Sequence, residues 1–130
     1  MSFIEPDRLF RVPSVARMAV RPGQHISLPL AAPSQVVITD IYIEKPDAGV
    51  CNMTIGFERN GHGETPYTLE VGERYTQIHL ESGWHLTAGV GFGADAIVLG
   101  NSSGSPCNIV PIVSGYLVPD PRKKKKKTKR

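Results

Sequence analysis

The sequence predicts an all-β chain: an antiparallel β-sandwich of jelly-roll-like layout, with about seven to nine short strands. Three observations carry this expectation. Thirteen glycines and eleven prolines interrupt nearly every window long enough for a helix. Several stretches alternate apolar and polar residues with period two, the pattern of a half-buried strand. Turn-rich clusters separate those stretches at short, fairly regular intervals.

In chain order, "HISLPL" (25–30) reads as the first clear strand. "QVVITDIYIE" (35–44) is rich in β-branched and aromatic residues, and Val37, Ile41 and Ile43 fall on one face by simple alternation. "VCNMTIGFE" (50–58) alternates most cleanly, with Cys51, Met53, Ile55 and Phe57 facing one way and Asn52, Thr54, Gly56 and Glu58 the other. The "KPDAG" between these two has turn chemistry, so they are expected to form a hairpin. "RNGHGETP" reads as a loop, followed by strands at "YTLEV" (67–71) and "RYTQIHL" (74–80). "DAIVLGN" (95–101) and "CNIVPIVSGYLV" (107–118) complete the set, with "NSSGSP" as a loop between them. Pro111 implies a sheet edge or a bulge.

Three segments follow from composition: an N-terminal arm or first strand at 1–24, a β-sandwich domain at 25–118, and a proline exit with a polybasic tail at 119–130. The formal net charge of +3 conceals a division. Residues 1–121 hold seven bases against twelve acids, a net of −5. The eight bases Arg122, Lys123, Lys124, Lys125, Lys126, Lys127, Lys129 and Arg130 crowd into the last nine residues with no acid among them. Such a run buries no apolar surface and does not fold alone. Its expected partner is nucleic acid or another polyanion, held through phosphates or equivalent charges without sequence preference. An anionic surface, the acidic body of a neighbouring subunit and a merely solubilising terminus are the alternatives.

Phe3, Ile4, Leu9 and Phe10 make the first segment apolar, while Pro6 and Pro13 forbid a regular helix through it. It is read either as an ordinary first strand or as an arm laid across a neighbouring subunit. The second reading makes these four residues an oligomer contact in a trimer or larger homo-oligomer. Acids at Glu5 and Asp7 break any signal-like apolar run, and no stretch is long enough to span a bilayer. A cytoplasmic or virion location is the corresponding expectation. For that reason Cys51 and Cys107 are expected as buried reduced thiols rather than a bridge.

Chemistry is sparse. His62 follows Gly56 at a spacing that resembles the opening of a cupin metal motif, but Glu64 stands where a second histidine is wanted and the later half of that motif is missing. His79 and His85 flank "LESGW" and supply no third ligand. No serine sits in a nucleophile elbow, and "GVGFGAD" opens no helix for a phosphate. The expectation is a non-enzymatic protein with no cofactor and no metal. Exposed aromatics offer an alternative as a glycan- or protein-binding module, with Trp84, Tyr75 and Phe92 as candidate contacts.

A strand-rich body, an apolar N-terminal segment, a proline exit and a basic terminus together resemble the small jelly-roll structural proteins of viral or phage capsids and their decoration proteins. The likeness lies in layout, and here the basic segment is C-terminal. It implies a self-associating structural protein whose basic tail tethers a polyanion.

Overall fold

A computed structural model describes residues 9–14, 16–87, 93–104 and 106–119. They form seven strands and no helix: β1 (Leu9–Val12), β2 (His25–Glu44), β3 (Cys51–Arg59), β4 (His62–Val71), β5 (Tyr75–His85), β6 (Ala94–Asn101) and β7 (Val110–Pro119). Every pairing is antiparallel, in the order β1-β7-β2-β6-β3-β4, with β5 also on β2.

The organising element is β2, 20 residues long. The sequence divides it into two strands at Ala31-Ala32-Pro33, and the structure joins them. Among the described residues its first part, His25–Pro29, pairs with β6 alone, whereas Ser34–Glu44 lies against β7 and Val37–Glu44 also against β5. The register slips between Pro29 and Ser34, where β2 passes from one set of partners to the other.

That sharing explains why β2 and β3 form no hairpin. Both sides of the later part of β2 are occupied, and β3 pairs with β4 and β6. The segment 45–49 is therefore a crossing, tied to its surroundings. The Lys45 backbone N–H donates to the Arg74 carbonyl at 2.8 Å, and the buried Lys45 ammonium donates to the Asp47 carbonyl at 2.7 Å. The Asp47 carboxylate accepts from the Asn108 N–H at 2.8 Å.

The tight hairpin lies instead in the stretch read as a loop. Asn60 and Gly61 have φ of 53° and 80°, the left-handed pair of a two-residue type I′ turn, and Arg59 pairs with His62. β4 consequently begins at His62, and its extra residue opposite Ile55–Phe57 falls near Pro66, an edge-strand position that tolerates proline.

The alternation in β3 holds: Cys51, Met53, Ile55 and Phe57 are all buried. In β2 it does not run through. Thr39 is an extra residue between the pairs Ile38↔Gly115 and Asp40↔Ser114, a bulge that reverses the parity of the strand. Val36 and Ile38 thus join Ile41 and Ile43 in the core cluster, and Val37 is buried on the other face. There it is covered by β5, whose Gly83 (φ 78°) lies so close that an added Cβ would meet Val37 Cγ1. Pro111 lies in a strand flanked by β1 and β2, but β1 reaches only Val113–Tyr116, so among the described residues the side of Pro111 away from β2 has no strand partner.

One apolar cluster draws on β1, β2, β3, β4, β6 and β7, with Phe57 among its largest fully buried side chains. Ile78, Leu80 and Trp84 of β5 pack against it while remaining half-buried. Tyr67 of β4 stacks on Trp84 at 4.8 Å between ring centroids and 22° between planes. β4 and β5 share no ladder, and this contact joins them. Aromatic pairs of this kind contribute about 0.5–1.5 kcal/mol beyond their burial.

Cys51 and Cys107 are bonded, with Cα atoms 5.7 Å apart, which corrects the expectation of free thiols. The topology brings them together. Val20 and Ile109 form a bridge beside them, and Asn101 ties three segments: its Nδ2 donates to the Val20 and Cys107 carbonyls at 2.9 and 2.7 Å, and its Oδ1 accepts from Ser103 N–H at 3.0 Å. The segment before β7 is thereby fixed against the start of β3.

Candidate functional site

The strand register settles where the two ends of the described chain lie. Leu9 is opposite Tyr116, and Ser34 is opposite Pro119. Antiparallel partners sit roughly 5 Å apart and each strand residue advances about 3.3 Å. The chain thus enters β1 and leaves β7 at the same end of the sheet, within about 15 Å. The crossing 45–49, the β4–β5 connection and the disulfide lie at the opposite end. Arg122, Lys123, Lys124, Lys125, Lys126, Lys127, Lys129 and Arg130 lie outside the described residues, as do Phe3 and Ile4.

The four proposed oligomer-contact residues separate. Phe10, 7 % exposed, faces the core of its own chain and pairs with Gly115, so its burial needs no neighbour. Leu9, next to it on the outward side, is 54 % exposed. Beside Leu9 runs a groove of about 450 Å³, walled by Leu28, Leu30, Ala31 and Leu117. Among the described residues the first part of β2 has β6 on one side and no strand on the other, and Ile26, Leu28 and Leu30 are half-buried although they face inward.

The aromatic set does not converge. Trp84 is in a strand, not a loop, and turns inward onto Tyr67. Tyr75 faces outward at 57 % exposure with the Arg74 guanidinium 5.7 Å from its ring centroid. Phe92 lies outside the described residues.

Among the histidines, His62 opens β4 beside the tight turn, and His85 pairs with Val37. His79 stands on the outward face with its Nδ1 2.8 Å from Asp40 Oδ1. The hydrogen bond from His79 holds the Asp40 carboxyl below the ordinary carboxylate range, helped by the hydroxyl of Thr39, which donates to Oδ2 at 2.9 Å. The same bond raises His79 above the ordinary imidazole value, with the charges of Asp40 and Glu81 adding and desolvation opposing. The sequence shows both residues but not their meeting, because the Thr39 bulge and the slip in β5 together set this register. Among the described residues no three His, Cys, Asp or Glu side chains gather as a metal site, and no helix is long and apolar enough to cross a membrane.

No protein-family model matches the chain, and no curated protein matches it.

Proposed function

We propose that the chain is a non-enzymatic structural or assembly protein: a self-associating β-sandwich, jelly-roll-like and suited to a shell or its decoration, whose C-terminal basic segment tethers a polyanion. The observation that carries this reading is the charge division, a body of net −5 followed by eight bases in nine residues. The acidic body repels a polyanion and confines contact to the terminus. The sandwich layout is supported by the way β2 changes partners midway and by the Tyr67–Trp84 contact between two strands that share no ladder. Self-association is supported by the open apolar groove beside β1. The disulfide favours maturation in an oxidising setting over a persistently reducing one.

Fluorescence anisotropy with duplex DNA tests the tether, on the full chain and on a chain ending at residue 121. Eight phosphate contacts give a log–log salt slope of about −7, so affinity should fall by orders of magnitude between about 50 and 200 mM salt. The shortened chain should bind far more weakly, and base sequence should matter little. Equal binding by the two chains at low salt would dispose of the tether.

A further inference from the structure

We infer that the outer face of the strands β1, β7, β2 and β5 is the contact surface for the same face of a second copy of this chain. The inference rests on the self-association reading and deepens it by naming the surface, which meets the groove at Leu9.

The register fixes what this face carries. Val113 and Gly115 of β7 are buried, so the residues between and beside them turn away from the core. On that outer side Leu9 lies opposite Tyr116, Ile112 opposite Tyr42, and Glu44 stands between Val110 and Tyr75. Leu9 and Tyr75 are exposed, and the other apolar members are half-buried. One polar row, Arg11–Ser114–Asp40–His79, crosses all four strands between Leu9 and Ile112. The outer side of β3 and β4 is different in kind, with Thr54, Glu58, Thr68 and Glu70. From Val110 to Val118 β7 runs about 26 Å, and four strands side by side span about 19 Å. Two copies joined here would bury about 1000 Å², close to the least that a specific interface needs.

Charge selects a second copy as the occupant. Arg11, Arg17 and Arg74 lie on this face against Asp40, Glu44 and Glu81. Arg17 pairs with Glu44, His79 with Asp40, and the Arg74 guanidinium sits over Tyr75. The face is balanced, so the remaining four bases and nine acids of residues 1–121 hold the whole net charge of −5. Two copies of an acidic body repel each other least through a face without surplus charge. Among the described residues Arg11 and Glu81 have no ion-pair partner, and they stand at opposite margins, on β1 and β5. A two-fold axis parallel to the strands, between β7 and β2, lays the β1 margin of one copy over the β5 margin of the other. Arg11 then meets the second copy's Glu81, and the symmetry repeats the contact.

The test uses two full-length variants, Arg11→Glu and Glu81→Arg, each altering a side chain outside the core cluster. Sedimentation equilibrium should show the unaltered chain associating in the micromolar range or more weakly, as the small area implies. Each variant alone should associate about tenfold more weakly still, because like charges then oppose each other at both contacts. An equimolar mixture of the two variants should recover the original affinity, because opposite charges again face each other at both contacts. In NMR spectra of the unaltered chain, dilution should move the amides of Tyr42 and Ile112 and leave those of Thr54 and Thr68 in place. A mixture no tighter than its components, or dilution shifts confined to another surface, would overturn this face while leaving self-association standing. A mass of one chain at every concentration would overturn both.

Discussion

Breaking the Cys51–Cys107 bridge is the perturbation with the largest stability effect that can be worked from the topology. The two residues are 56 apart in sequence. Closing a loop of that length removes denatured-state entropy equivalent to about 4 kcal/mol at room temperature. Since a whole domain is stable by only about 5–15 kcal/mol, this is a large share. Both cysteines are buried, at 0 and 1 % exposure, so a reductant added to the native protein has little access. The comparison therefore needs a chain unfolded and reduced with a phosphine, then titrated with urea beside the oxidised chain. With a urea slope of about 2 kcal/mol per molar, the midpoint should fall by about 2 M. Thiol alkylation and intact mass establish the redox state at each point. The Asn101 hydrogen bonds and the Val20–Ile109 bridge hold the same region in either form, so the reduced chain should still fold. A midpoint unchanged on reduction, or free thiols in protein isolated without reductant, would refute the reasoning.

Phe57, 1 % exposed within the core cluster, should cost about 3–5 kcal/mol when replaced by alanine, measured by urea unfolding. Thr54→Ala, on the opposite face of the same strand, should stay within about 1 kcal/mol, and equal losses would contradict the β3 alternation. His79 has a raised folded value, so its contribution is fully present below the unfolded imidazole value and is lost as pH rises through the raised one. Asp40 has a lowered value, so its contribution is present above the unfolded carboxylate value and is lost as pH falls through the lowered one. The pair is thus complete from about pH 4 to 6.5. In an NMR pH titration, Asp40→Asn should return His79 downward to the ordinary imidazole range; an unmoved midpoint would show that the pair does not form in solution.

Where side-chain alternation alone decides the outcome, the sequence was a good guide. In β3, each inward residue is apolar and each outward one is not, and the register shift against β4 opposite Ile55–Phe57 adds its residue to β4, so the alternation of β3 survives it. A single inserted residue defeats the same rule in β2: the bulge at Thr39 sends Val37 to one face and Ile41 and Ile43 to the other. Nothing local in "ITDIY" announces it. The Asn60-Gly61 turn carried the right dipeptide, but the surrounding glycines and His62 gave the stretch the look of a longer loop. Ala31-Ala32-Pro33 looks like a break because proline ends a ladder, and the β6 ladder does lapse between Pro29 and Ser34, yet the backbone stays extended and pairs again from Ser34 onward. The disulfide and the His79–Asp40 pair depend on segments far apart in sequence, and their meeting is a property of strand order.

That strand order also bears on how the chain reaches its native state. The later part of β2 finds its neighbours in β5 and β7, and among the described residues β1, the first strand, pairs only with β7, roughly a hundred residues downstream. Almost no pairing beyond the β3–β4 hairpin is local. Chains whose contacts join such distant residues fold in milliseconds to seconds rather than microseconds, because the loop entropy must be spent before the contacts form. The amides of Val36–Ile43 are enclosed by strands on both sides for most of their length, and they release their protons to solvent only when those distant partners part together. In hydrogen exchange β2 would report the opening of the whole sheet, while β4, paired only with β3 among the described residues, would report local opening.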